Sequence, residues 1–377
     1  MTPPLACTVV LAAGLGTRMK SRTPKVLHPV CGLSLIEHVL RAAAAVSGAK
    51  TVVVLGHGHE QVRPLLPPEA RVALQREQKG TGHAVLAAAE QLLGAGEKVS
   101  GKAEVTGGPR DEGTGPRNEG TGAYDRGKCA LPAESQVMLV LPGDTPLVTG
   151  EVLMSLVEGH FATGVEATVL TMELDDPTGY GRVIRSEDGL VERIVEHRDA
   201  APEERVVREV NSGMYVLPVR RTVEILAGLG TDNAQGELYL TDVLGSLRSE
   251  GARVGAVRAP DARRLLGVNT RVELAEASSI MRAEICRHWM LAGVTIDDPG
   301  STYVEAGVTL EADVRLRPFT VLEGNTVVER DCVLGPFVTV RDGFVGAGSH
   351  VYNSFVEGMR LAPGTDLGPF ACVRAGE

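Results

Sequence analysis

Thr8-Val9-Val10-Leu11-Ala12-Ala13-Gly14-Leu15-Gly16-Thr17-Arg18-Met19, with Pro24-Lys25 a short way on, decides how the front of this 377-residue chain folds. Thr8 to Ala13 reads as a buried strand that runs into a turn with two glycines. Gly14 and Gly16 place no Cβ in the way, so the backbone can come close to an anion. Amides of such a turn point at phosphate oxygens. Arg18 and Lys25 add positive charge, expected on opposite sides of the turn. The combination suits a polyphosphate. The dinucleotide fingerprint G-x-G-x-x-G also follows a first strand, but Met19 stands where its third glycine belongs. No acidic residue follows the next strand at the required distance; Gly56-His57-Gly58-His59 is found there instead. A glycine-rich turn with no ligand is the bland alternative.

Bulk properties narrow the field. The length allows two or three domains. A formal net charge of −10 argues against a nucleic-acid backbone or an anionic membrane as partner, so a phosphate site must be a local cluster of cations. Cys7, Cys31, Cys129, Cys286, Cys332 and Cys372 are scattered without a C-x-x-C pair, which fits free thiols in a reducing cytosol. The apolar run 5–13 is too short to span a bilayer. A cytoplasmic protein is expected.

Beyond this turn, β-like runs alternate with helical patterns as far as about Val268. Strands are expected at Thr8–Ala13, Thr51–Leu55, Val137–Leu141, Ala167–Met172 and Val210–Val216. Helices are expected at Leu35–Val46, Ala84–Leu93, Gly150–His160 and Arg220–Leu226. That alternation predicts an α/β, Rossmann-like domain over 1–268 with a mixed or parallel sheet and its site at strand carboxyl ends. Residues 97–136 interrupt it. Gly108 to Thr114 is repeated almost letter for letter by Gly115 to Thr121, a run of glycine, proline and charge with nothing to bury. The segment reads as mobile, low-complexity padding. Thr270 to Leu291 reads as one long linker helix within 269–300, with Thr270 and Glu273 forming a capping box and Gly293 ending it.

After Ser301 the apolar period becomes six: Val304, Leu310, Leu316, Leu322, Val328, Leu334 and Val340. The register slips, then resumes at Val345 and Val351, and again at Leu361, Leu367 and Val373. One branched residue in every six marks a left-handed parallel β-helix with coils of about 18 residues. Residues 301–377 would hold about four coils. A helix ending in mid-repeat exposes an apolar cross-section, so the expectation is a fragment or an end covered by another subunit.

A nucleotidyl transfer needs a triphosphate cradle, a base-recognition edge, a divalent metal and a pocket for the incoming phosphate, and beyond the Gly14–Arg18 turn the sequence offers candidates for the rest. Gln75-Arg76-Glu77-Gln78-Lys79-Gly80-Thr81-Gly82-His83 offers an amide donor and acceptor for a pyrimidine edge, and Gly80-Thr81 can lie flat against a base. Pro142-Gly143-Asp144-Thr145-Pro146 puts a carboxylate at a strand end, suited to Mg²⁺ or simply to a turn. Asn269 is the candidate second metal oxygen, or else only a helix cap. Tyr180-Gly181-Arg182, Glu196 and Asn211 supply groups able to bond sugar hydroxyls, although each alone is more often a surface or turn residue.

Taken in order, L-A-A-G-x-G-T-R-M with P-K, Q-x-E-Q-x-G-T-G-H-A, G-D-x-P-L, D-D-P-T-G-Y-G-R, I-V-E-H, N-x-G and G-V-N-x-R resemble the bacterial N-acetylglucosamine-1-phosphate uridyltransferase family. In that family a nucleotidyltransferase domain precedes a left-handed β-helix acetyltransferase. The resemblance runs through residues 5–377 apart from the 97–136 insert. It implies Mg²⁺-dependent condensation of UTP with N-acetylglucosamine 1-phosphate, giving UDP-N-acetylglucosamine for peptidoglycan synthesis and pyrophosphate. It implies a homotrimer through the β-helix.

By position, Arg18 and Lys25 match the catalytic cations. Asp144 and Asn269 match the metal ligands. Leu11, Ala12, Ala13, Gly14, Lys25, Gln75, Gly80, Thr81, Gly143, Gly181, Glu196, Asn211 and Asn269 match nucleotide or sugar contacts. Arg374 matches an acceptor-sugar contact of the acetyltransferase, whose later coils and catalytic histidine are not in the sequence; no acetyltransferase activity is expected of these 377 residues. Pro142 departs from the aromatic or small residue usual before the Gly-Asp pair. A thymidylyl- or guanylyltransferase and a non-catalytic β-helix scaffold are the competing readings.

Overall fold

The computed structural model describes residues 5–46, 50–93 and 136–376. The tandem repeat at 108–121, with all of the 97–136 insert except Gln136, lies outside the described residues. The chain divides into two units. One comprises Met1–Leu15, Val39–Gly143 and Val148–Leu266; the other comprises Gly16–His38, Asp144–Leu147 and Gly267–Glu377.

The first unit is built on a mixed sheet. Its strands are β1 (Cys7–Ala12), β2 (Lys50–Leu55), β3 (Arg71–Leu74), β4 (Val137–Pro142), β5 (Ala167–Glu173), β6 (Arg182–Arg185), β7 (Val191–Val195), β8 (Glu209–Pro218) and β9 (Val254–Arg258). They lie in the order β9-β5-β8-β4-β1-β2-β3, with β6 and β7 pairing off β8. All five expected strands are present. The four others are short and carry charge beside apolar residues, so no continuous apolar run announces them. Two of these, β3 and β9, form the ends of that order, where short charged strands discourage pairing with other chains.

Neighbours along that path are parallel except at β8, which runs against both β4 and β5. β1 lies between β2 and β4, with Leu11 opposite Pro142 and the Gly143 amide donating to the Leu11 carbonyl at 2.8 Å. Both strands therefore end at one edge, the place where open α/β sheets bind ligands. Val9, Val54, Met138, Val140 and Val169 of the sheet share one apolar cluster with Val85, Val223 and Leu244. These three come from helices at Thr81–Ala87, Val219–Gly228 and Asp242–Ser249. The helix expected over Ala84–Leu93 begins earlier, at Thr81, and breaks at Ala88 before a second turn over Ala89–Leu93. The break has no signal in the local sequence.

In the second unit the long helix runs Arg271–Leu291. Thr270 accepts from the Glu273 amide, and the Glu273 carboxylate accepts from the Thr270 amide at 2.7 Å, closing the capping box. Short parallel strands then stack in three sheets, and the expected apolar positions point inward. This is the left-handed β-helix. Early coils take 18 residues, as in Leu316 beside Leu334 and Leu322 beside Val340. Later coils are shorter, with Val328 beside Val345, Val340 beside Val356 and Val345 beside Leu361. The slip is a tightening of corners rather than an interruption. Val356, which the six-residue rhythm skips, is fully buried in the stack.

Candidate functional site

Arg18, Lys25, Asp144 and Asn269 meet in the second unit. Lys25 donates its ammonium to Asp144 Oδ2 and, at 3.0 Å, to Asn269 Oδ1. Arg18 Nη2 donates to the same Asn269 oxygen at 2.9 Å. Both cations thus converge on Asn269 Oδ1. Gly16 explains how Lys25 gets there. It sits at φ 62°, and a Cβ on it would lie 2.6 Å from Lys25 Cβ, so only glycine admits this packing. Asn269 is fixed by its backbone: Glu273 Oε2 accepts its amide at 2.6 Å. The Val268 amide donates to the Asp144 carbonyl at 2.8 Å and ties the two segments together.

A carboxylate and an amide oxygen, 125 positions apart in sequence, therefore share one cation. Hard oxygens in small number are what Mg²⁺ takes from protein, the remainder being water and phosphate. No group of three or more His, Cys, Asp or Glu side chains suited to a metal occurs among the described residues.

In the first unit the matched nucleotide contacts gather at the ends of β1 and β4. Leu11 accepts from Gly143, and a Cβ on Gly143 would crowd Ala12 Cβ at 3.1 Å. The Ala13 carbonyl accepts from Gln78 Nε2 at 3.0 Å, bringing the 75–80 loop to the β1 turn. Gly14 has open space where a Cβ would project, room that a ligand can fill. Gly80 is at φ 99°, and a Cβ there would strike the Leu238 carbonyl at 2.6 Å. Thr81 Oγ1 accepts from the Leu240 amide at 3.1 Å. Gln75 is buried, its Nε2 3.0 Å from both the Gly80 carbonyl and His83 Nδ1.

The matched sugar contacts form a neighbourhood of their own in that unit. The Asn211 amide donates to the Gly181 carbonyl at 2.9 Å, and a Cβ on Gly181 would lie 3.4 Å from Glu196 Oε1. Burial, together with Asp242, Asp199 and Glu237 nearby, raises the Glu196 carboxyl above the ordinary range, although a hydrogen bond from Thr241 partly opposes this. Tyr215, which sequence reasoning missed, accepts Asn211 Nδ2 at 2.7 Å. Thr241 was missed as well. Both are joined to the cluster by folding alone, and only Tyr215, four residues past Asn211, was within local reach. Arg374 joins none of these groups; its Nε faces Glu357 at 3.5 Å and its guanidinium lies over the Phe355 ring.

Comparison with known proteins gives the family. Residues 8–237 match the MobA-like NTP transferase domain. The chain is 40% identical over 366 residues to the bifunctional protein GlmU of Geobacillus sp. (strain WCH70), covering 97% of this chain and 71% of that protein. It is 43% identical over 375 residues to the bifunctional protein GlmU of Streptomyces coelicolor, covering 98% and 70%. Neither a transferase of other base or sugar specificity nor a scaffold is favoured. Nucleotide and sugar-phosphate substrates and a divalent metal go with this family. The chain belongs to the GlmU family and is a uridyltransferase that makes UDP-N-acetylglucosamine.

Proposed function

We propose that this uridyltransferase works with Mg²⁺ held by Asp144 and Asn269, joining UTP to N-acetylglucosamine 1-phosphate. The observation that carries the reading is the shared cation: both oxygens already bond the Lys25 ammonium. Bound Mg²⁺ would neutralise polyphosphate charge. Lys25 and Arg18, relieved of part of their contact with these oxygens, donate to phosphate oxygens. Leu11 to Gly14 and Gly143 present backbone to the nucleotide, while Gln75, Gly80 and Thr81 face the base. Gly181, Glu196 and Asn211 hold the sugar. A phosphate oxygen of the sugar phosphate attacks the α-phosphorus of UTP, a new P–O bond forms, and the bond to pyrophosphate breaks. Positioning and charge neutralisation suffice, with no covalent enzyme intermediate.

A homotrimer through the β-helix and a cytoplasmic location belong to the same proposal. The first is supported by exposed Phe319 and Phe337, stacked with centroids 4.8 Å apart on the β-helix surface. No helix among the described residues is long and apolar enough to cross a membrane.

The test is pyrophosphate release across four nucleoside triphosphates and several sugar 1-phosphates, with Mg²⁺, with Ca²⁺ and with a chelator. Release with UTP, N-acetylglucosamine 1-phosphate and Mg²⁺ supports the reading. Undiminished release in the chelator, or preference for another base or sugar, overturns it.

A further inference from the structure

Gln75 has a side-chain amide with two hydrogens and one oxygen, and the structure assigns a use to each hydrogen. Nε2 lies 3.0 Å from the Gly80 carbonyl, which can only accept, so the nitrogen and not the oxygen must be at that position. Nε2 is also 3.0 Å from His83 Nδ1. With its hydrogens committed, Nε2 can only donate there, so Nδ1 must be the unprotonated ring nitrogen. Burial chiefly, then Lys79, lowers the proton affinity of His83, against Glu77 and a hydrogen bond to the Glu77 carbonyl, which favours the neutral ring this requires. Gln75 is only 4% exposed. Oε1 of Gln75 takes no hydrogen bond from any described residue, which leaves it for a ligand.

We infer that His83 is a positioning residue that sets base choice: it takes one amide hydrogen of Gln75 while Gly80 takes the other, leaving only an acceptor for the base. The inference rests on the reading of Gln75 as a base contact. Uracil carries one donor on its pairing edge, N3–H, whereas cytosine has an acceptor at N3. An acceptor-only group that serves a uridine nucleotide must face N3–H, and cytosine there would set two lone pairs against each other. An unmade bond of this kind is a strong source of rejection, because it leaves polar groups unpaired in a buried place.

Replacing His83 leaves the Gln75 amide held by the Gly80 carbonyl alone, and breaking that one remaining bond lets the amide flip and present Nε2 to cytosine N3. His83→Leu is expected to raise the CTP-to-UTP ratio of kcat/KM at least about tenfold. His83→Gln, whose amide oxygen can accept the same hydrogen, is expected to keep the ratio near that of the parent. His83→Met, with a thioether that accepts only weakly, replaces the leucine variant if that one does not fold. A purely structural role would lower turnover with both nucleotides together and leave the ratio unmoved, which overturns the inference. Gln75→Leu separates the two levels. If it leaves the KM for UTP unchanged, Gln75 does not meet the base and both readings fall. If it raises that KM while the leucine and methionine variants at 83 keep the parental ratio, only the role of His83 falls.

Discussion

Lys25 owes its place to a residue with no side chain. Gly16 holds a left-handed φ of 62° and leaves the Lys25 stem the volume a methyl would take. Gly16→Ala combines backbone strain with a steric clash and is expected to cost about 1–3 kcal/mol of stability and to raise the KM for UTP, read by chemical denaturation and steady-state kinetics. Glu196 gives a pH signature. Its carboxyl is raised above the ordinary value near 4.5, chiefly by burial, so the folded chain holds that proton more tightly than the unfolded chain. Stability from this group is full below the unfolded value and is lost as pH rises through the folded one. Glu196→Gln is therefore expected to melt higher than the parent at pH 8, with the gain shrinking at pH 4. Its KM for sugar phosphate should rise about tenfold, a loss of about 1.4 kcal/mol in binding. Parallel melting shifts at both pH values would contradict the assignment.

The helix Arg271–Leu291 does more than connect. Its capping box was legible from Thr270 and Glu273 alone, because the motif is local. What sequence could not show is that Glu273 also takes the Asn269 amide, so the cap that starts the helix holds a proposed metal oxygen. Thr270→Ala is expected to cost about 1 kcal/mol and to raise the Mg²⁺ concentration at half-maximal rate, measured by thermal melts and metal titration of activity. The β-helix was legible for a similar reason: its period repeats, so each coil restates the last. Its shortened corners were not, because Gly343 sits where a Cβ would lie 2.7 Å from Val340 Cγ1. Such tightness is a property of stacking, and the buried Val356 falls outside a strict count of six.

Across the whole molecule, the segments that sequence marked as chemistry sort into three neighbourhoods, each brought together by contacts between distant positions. Motifs supplied the residue types; folding alone supplied Tyr215 and Thr241, and the shared use of Asn269 by Arg18 and Lys25. The strands that went unforeseen carry charge on short runs, where hydrophobic period has little to register. Composition leads to one more expectation. Deleting 101–128, a stretch of glycine, proline and charge, should leave pyrophosphate release within a few-fold, and complete loss would show that the segment takes part.

The measurement that bears most directly on the account is the Mg²⁺ dependence of pyrophosphate release from UTP and N-acetylglucosamine 1-phosphate by Asp144→Asn, with circular dichroism as a check on the fold. Removing the only carboxylate of the shared-cation pair is expected to lower turnover about a hundredfold or more and to move the Mg²⁺ requirement upward, while the spectrum stays that of the parent. A folded variant with parental turnover and parental Mg²⁺ dependence would contradict the claim that Asp144 and Asn269 hold the metal.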